Sequence, residues 1–249
     1  MSGAPLAARR DNSGGDRITR VEQDQDGVEV PYQLYLPPNY DQAKRYPLVL
    51  CLHGAGEMKS GKFEAQTAAS SALRMPKVST EYPAFILIPQ TTIGWVRRPG
   101  SDGVKPGAGM SDTPESASLK LVVKGLSDVM QHYSVDPDRV YVSGQSMGGV
   151  ATWDLIVRHP DLFAAAVPVC GIGDPSQAAK IRCPVWNFHG AKDPTVPVSH
   201  SRDMVAAMKA AGGSVKYTEF PDVEHGSWKP AWQDKELLPW LFSQKRPAD

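Results

Sequence analysis

The stretch RVYVSGQSMGGVATWDL, residues 139–155, is where the reading of the fold begins. Val140, Tyr141 and Val142 form a strand-favouring run of β-branched and aromatic residues, Gly144-Gln145-Ser146-Met147-Gly148 makes a G-x-S-x-G turn, and a helical pattern starts at once. Strand, sharp turn and helix in direct succession is the setting that lifts a serine hydroxyl clear of the end of a buried strand. The glycines have a steric reason: side chains two residues either side of a strained serine would collide with neighbouring elements. An ordinary glycine turn in a βα unit has the same letters, so the partners of Ser146 must decide between the two.

Outward from this stretch, strands and helices alternate. YPLVLCLHG (46–54) is a nearly continuous apolar run, as expected for a strand buried on both faces. Further strands are predicted at 84–90, 164–171, 183–190 and 215–221, and an alternating strand at GVEVPYQLYLPP (27–38). Helices are predicted over 114–133, with Thr113 as cap and Pro114 at the first position, over 147–159, and over 199–211 before Gly212-Gly213. The expected architecture is α/β: a mostly parallel central sheet with an antiparallel leading edge and helices on both faces. Residues 1–16 are read as a flexible arm and 17–249 as one domain. The irregular stretch 97–112, containing Arg97, Arg98 and Lys105, is read as a long loop.

Composition narrows the function classes. Lys plus Arg and Asp plus Glu number 27 each among 249 residues, so no basic field is available for nucleic acid or anionic membrane. Cys51, Cys170 and Cys183 are odd in number, sit in or beside apolar runs and show no C-x-x-C spacing, which argues against a disulfide framework or a zinc site. Neither a signal-peptide core nor a bilayer-length apolar stretch occurs in the sequence. The protein as given is expected to be soluble and cytoplasmic, or secreted or periplasmic if a leader has been removed.

A serine hydroxyl needs a base, and the base needs an orienting carboxylate. In a serine-acid-histidine order, His53 and His132 come too early, His159 lies in the next helix and His189 lies within a strand. His200 opens a helix too soon after Asp193, which leaves His225, in FPDVEHGSW after the last strand. Asp193, in FHGAKDPTVP past a strand's carboxyl end, is the preferred acid, with Asp174 in reserve; Asp222 and Glu224 adjoin the histidine too closely. Oxyanion donors are expected from the backbone of Met147 and of Ala55 in HGAGE (53–57), with Gly56 the alternative to Ala55.

With these segments assembled, the chain resembles the α/β-hydrolase superfamily. Within it, the likeness is to compact esterases grouped with polyhydroxybutyrate depolymerases, feruloyl esterases and dienelactone hydrolases. It also resembles peptidase-labelled and phospholipase/carboxylesterase-like bacterial proteins related to the hydrolase domain of prolyl oligopeptidases. The resemblance rests on YPLVLCLHGAGE, residues 139–171, NFHGAKDPTVPVSHS and VKYTEFPDVEHGSW, and implies the triad Ser146, Asp193 and His225. It departs after the HGAGE motif: relatives commonly carry glycine or an arginine pair there, whereas here Glu57 is followed by MKSGK.

The reaction expected is hydrolysis of a carboxylic ester, small or polysaccharide-linked, with no metal and no cofactor. Only GIGDPSQAAK, residues 171–180, lies between Cys170 and Ile181, too short for a cap, so an open site is expected. Trp95 and Trp228 are read as either its walls or core aromatics, Gly54 and Gln145 as further substrate contacts, and Trp153 as packing. A serine peptidase lacking an accessory domain is the alternative, and a non-catalytic binding protein on the same fold is the third reading.

Overall fold

The computed structural model describes residues 9–10, 16–60, 66–96 and 113–246. The 97–112 loop, including Arg97, Arg98 and Lys105, lies outside the described residues. The chain follows the order β1 (Arg9–Arg10), β2 (Asp16–Gln23), β3 (Glu29–Tyr35), β4 (Tyr46–Leu52), α1 (Ala68–Leu73), α2 (Pro76–Glu81), β5 (Phe85–Pro89) and α3 (Ala117–His132). It continues through β6 (Val135–Gln145), α4 (Met147–Arg158), β7 (Ala165–Val169), β8 (Val185–Gly190), α5 (Ser199–Ala210), β9 (Val215–Phe220), α6 (Trp228–Ala231) and α7 (Leu237–Ser243).

One sheet has the order β1-β2-β3-β5-β4-β6-β7-β8-β9. The β1/β2, β2/β3 and β3/β5 pairs are antiparallel, and every pair from β5/β4 to β8/β9 is parallel. This is the mostly parallel sheet with an antiparallel leading edge of an α/β-hydrolase fold.

The alternation of side chains along β4 shows why the fold needs two helical layers. All seven of its residues are buried. Leu48, Leu50 and Leu52 join one core with α3, α4 and α5, while Val49 and Cys51 join the other with α1, α6 and α7. Each of these leucines is fully excluded from water, a contribution of about 1.5–3 kcal/mol apiece. Between β7 and β8 the connection holds only the 3-10 turn Pro175–Lys180.

Three boundaries differ from those expected. Ser116, not Thr113, caps α3: its Oγ accepts from Leu119 N at 3.1 Å, so Pro114 precedes the helix. β2 was not expected as a strand, and the reason is chemical. Its inward face carries Ile18, Arg20 and Glu22, and the last two meet α3 through ion pairs, Glu22 with Lys124 at 2.7 Å and Arg20 with Asp128 at 3.7 Å. Such a face lacks the apolar alternation by which a strand is recognised. Finally, Arg9, Arg10 and Asp16, read as part of the arm, are strand residues, with Arg9 opposite Arg17 and Arg10 opposite Asp16.

Candidate active site

β6 ends in Gln145, and Ser146 then adopts φ 53° and ψ −115° before α4 begins. That region is costly for a residue with a Cβ, about 1–3 kcal/mol, and persists only where surroundings enforce it. Here they do. Ser146 N donates to Val169 O at 2.9 Å. A Cβ on Gly144 would sit 2.1 Å from Gly148 O, and one on Gly148 would sit 2.2 Å from Leu52 O. The turn therefore closes only with hydrogen at both positions, and it holds the half-buried serine side chain at the amino end of α4.

The histidine arrives from the far side of the sheet. β9 leads into residues 221–227, which fold back over the end of β8, where Ala191 N donates to Phe220 O at 2.9 Å and Lys192 N to Val223 O at 3.1 Å. Gly190 makes the crossing close: a Cβ there would lie 2.3 Å from both Val223 O and Glu224 O. His225 thereby reaches Ser146. The serine hydroxyl donates to His225 Nε2 at 2.8 Å, and His225 Nδ1 donates to Asp193 Oδ2 at 2.7 Å.

Asp193 is held by its own turn, its Oδ1 accepting from Thr195 N at 2.8 Å and Val196 N at 2.9 Å. Burial works to raise its pKa. The N–H of Val196, the His225 ring and the N–H of Thr195 outweigh burial and hold the carboxyl below its usual range. The acid is therefore ionised where it must orient an imidazole. Cys170 packs alongside, φ 41°, its thiol pushed up to about 12 by burial. Its Sγ lies within 4.8 Å of donor atoms of Asp193 and His225. Both ring nitrogens of His225 and both carboxylate oxygens are already engaged in hydrogen bonds, so the trio is a hydrogen-bonded cluster beside a packed thiol.

The remaining candidates are engaged elsewhere. Asp174, the reserve acid, caps the 3-10 turn through Ser176 N at 3.0 Å. His159 pairs with Glu115 at 2.8 Å, His132 bonds Asp128 O at 2.8 Å, and Asp222 pairs with Lys192 at 2.6 Å. His200 lies in α5.

The HGAGE loop abuts the serine, since a Cβ on Gly54 would lie 3.6 Å from Ser146 Cβ. His53 is buried and fixes this loop. Thr91 N donates to its Nε2 at 3.1 Å, so its proton is on Nδ1, which donates to Gly54 O at 2.7 Å. Burial lowers its pKa, in keeping with a neutral ring. Because a trans peptide is planar, fixing the Gly54 carbonyl also fixes the Ala55 N–H, directed the opposite way. Ala55 and Gly56 are exposed and Met147 half-buried, with Met147 opening α4.

Two substrate contacts expected from sequence are corrected. Trp95 is completely buried and its Nε1 donates to His53 O at 2.9 Å, so it braces the loop and presents no surface to a ligand. Gln145 is also internal: its Oε1 accepts from Ala68 N and its Nε2 donates to Glu57 Oε1, each at 3.0 Å, which ties the HGAGE segment to the start of α1. Glu57, the last residue of HGAGE, thus has a structural partner. Trp228 is half-buried and meets the His225 ring edge to face at 5.3 Å and 89°. Sequence reasoning missed the part played by His53 and by His189, which also contacts Asp193. The available signal was the His-Gly pair closing both 46–54 and 183–190.

A family model described as the dienelactone hydrolase family matches residues 109–235, about half of the sequence. The chain belongs to the dienelactone hydrolase family. Among solved structures, a thermostable esterase aligns with a TM-score of 0.81 and 34% identity, covering 92% of this chain and 63% of that one. The poly(3-hydroxyalkanoate) depolymerase C of Paucimonas lemoignei is 30% identical over 126 residues, 50% of this chain and 28% of its own length. The acylamino-acid-releasing enzyme of Arabidopsis thaliana is 25% identical over 240 residues, 80% of this chain and 30% of its own length. The chain thus spans under a third of these two curated relatives. Like its family, it is built on a hydrolase fold, and none of its described helices is long and apolar enough to cross a membrane.

Proposed function

We propose that this dienelactone hydrolase family member is a serine hydrolase that cleaves carboxylic esters through an acyl-enzyme. The observation that carries the reading is the unbroken relay from Ser146 Oγ to His225 Nε2 at 2.8 Å and from His225 Nδ1 to Asp193 Oδ2 at 2.7 Å. Ser146 Oγ adds to the ester carbonyl carbon while its proton passes to His225 Nε2. The tetrahedral intermediate collapses, the bond to the alcohol oxygen breaks, and His225 returns the proton to that leaving oxygen. Water then adds to the acyl-enzyme by the same proton transfers, the acid departs and Ser146 is restored.

Asp193, ionised, keeps the imidazole in the tautomer whose Nε2 is free to accept, and stabilises the imidazolium that forms. The N–H groups of Met147 and Ala55 bind the oxyanion, the former with the positive end of the α4 dipole behind it. Trp228 supplies an apolar wall beside the histidine, which suits aryl or other bulky esters, and the short β7–β8 connection leaves the approach open. Ester rather than amide cleavage is favoured by the likeness to a thermostable esterase, 34% identical with 92% of this chain covered, and an ester's alcohol is the easier leaving group to protonate.

Ser146→Ala tests the reading. Turnover of p-nitrophenyl acetate and labelling by a fluorophosphonate probe should both vanish, with the unfolding transition little changed. Undiminished turnover in that variant refutes the assignment.

A further inference from the structure

Two imidazoles converge on the Asp193 carboxylate, and only one of them touches the serine. His189, at the end of β8, is fully buried, with Nε2 3.2 Å from Asp193 Oδ2 and 2.9 Å from Val196 O. Its Nδ1 lies 2.6 Å from Ser201 Oγ on α5. Both neighbours of Nε2 only accept, so Nε2 carries the proton; Nδ1 then accepts the Ser201 hydroxyl hydrogen. Burial lowers this ring's pKa, as befits a neutral imidazole with one proton in a fixed place.

We propose that His189 is a positioning residue for the hydrolytic centre: its Nε2–H, bonded to Val196 O, also faces Asp193 Oδ2 at 3.2 Å and holds it electrostatically toward His225, and Ser201 locks the tautomer that keeps this N–H in place. The inference rests on the catalytic reading of Ser146, His225 and Asp193. Its physical basis is a difference in rigidity. His225 comes from a loop and keeps 22% of its side chain exposed, whereas the side chains of His189 and Asp193 are 0% exposed. The two turn N–H groups hold Oδ1, while the partner of Oδ2 is the loop histidine, which carries its own mobility into the pair. A ring anchored in the central sheet beside Oδ2 gives the loop histidine a fixed acceptor.

The second donor also divides the charge on Oδ2. Without it, more of that charge falls to His225, which favours the imidazolium and moves the acid limb of reactivity to higher pH. Other titratable or charged groups near His189 hold their charge. Glu219, its register partner on β9, is held at about 2 by Arg202 of α5 and Tyr217. The Cys170 thiol beside Asp193 stays neutral.

The test follows Ser146 phosphonylation by a fluorophosphonate probe between pH 5 and 9, in which a P–O bond forms, fluoride leaves and His225 takes the serine proton. His189→Met should react about tenfold more slowly at pH 8, the scale set by losing one contact to a buried charged group, with its acid limb moved upward. His189→Gln, whose Nε2–H can occupy the same place, should recover most of the rate and the original limb. Ser201→Ala should lose rate with a shift of the same sign. A wild-type profile for His189→Met, or His189→Gln no better than His189→Met, overturns the proposal. Should His189→Met fail to fold, Ser201→Ala decides: wild-type rate and limb overturn the proposal. A wild-type enzyme that takes no label brings down the hydrolase reading itself, and this inference with it.

Discussion

Gly190→Ala isolates the geometry on which the serine–histidine contact depends. The residue does not have a positive φ, so alanine brings no backbone penalty of its own. The new methyl group would meet Val223 O and Glu224 O at 2.3 Å, and ordinary contact begins near 3.4 Å. The 221–227 loop must therefore lift by about 1.1 Å, carrying His225 with it. A rise of that size takes the 2.8 Å bond to Ser146 beyond hydrogen-bond reach. A misplacement of about 1 Å at a reacting centre costs on the order of a hundredfold in rate, equivalent to about 2.7 kcal/mol of barrier. The loop is exposed on its outer face and relaxes, so the loss of folding stability should be no more than about 1–3 kcal/mol. Hydrolysis of p-nitrophenyl acetate under single-turnover conditions measures the first effect, and urea unfolding the second. Wild-type single-turnover rates in Gly190→Ala, with the protein fully folded, would refute the argument that this glycine seats the histidine.

Further outcomes follow from the same contacts. Asp193→Asn should lower kcat by about 10⁴, as the wrong imidazole tautomer does in a comparable triad, measured on the same ester with the folded state checked by circular dichroism. The two tryptophans should separate cleanly: Trp95→Ala should cost about 3–5 kcal/mol in urea unfolding, while Trp228→Ala should raise KM for aryl esters with a much smaller loss, and the reverse pattern would contradict their placement. Stability should fall as pH drops below 6.5, the ordinary value for histidine, because the unfolded chain takes up protons that the buried His53 and His189 rings, with depressed pKa values, refuse. The loss continues until their lower folded pKa values are reached. Asp193, also depressed, keeps its contribution above the ordinary carboxylate range and loses it only as pH falls through its folded value. Urea midpoints that stay level between pH 7.5 and 5.5 would contradict the histidine part of this balance.

Local chemistry made much of the molecule legible in one dimension. The nearly continuous apolar run of 46–52, bounded by turn residues, reads as a strand covered on both sides, and helices cover it on two faces. The spacing of Gly144, Ser146 and Gly148 reports a turn whose sterics exclude other residues, so the nucleophile candidate was visible before any contact was known. β2 escaped because its inward face is satisfied by ion pairs with α3, and no pattern in the strand's own sequence reveals a partner about a hundred residues away.

Sequence by itself thus determined the layers of the fold and the chemical types that a hydrolytic site requires, because periodicity and steric exclusion act between near neighbours. Only the tertiary structure decided which side chains meet. Trp95 turned inward to brace His53, Gln145 bonded Glu57 and α1, and the buried His189 ring came to lie 3.2 Å from the carboxylate that His225 bonds. Hydrogen-bond distances between residues 32 or 79 positions apart arise from the way β8, β9 and the elbow are laid side by side, a property of the packed sheet that no single segment carries.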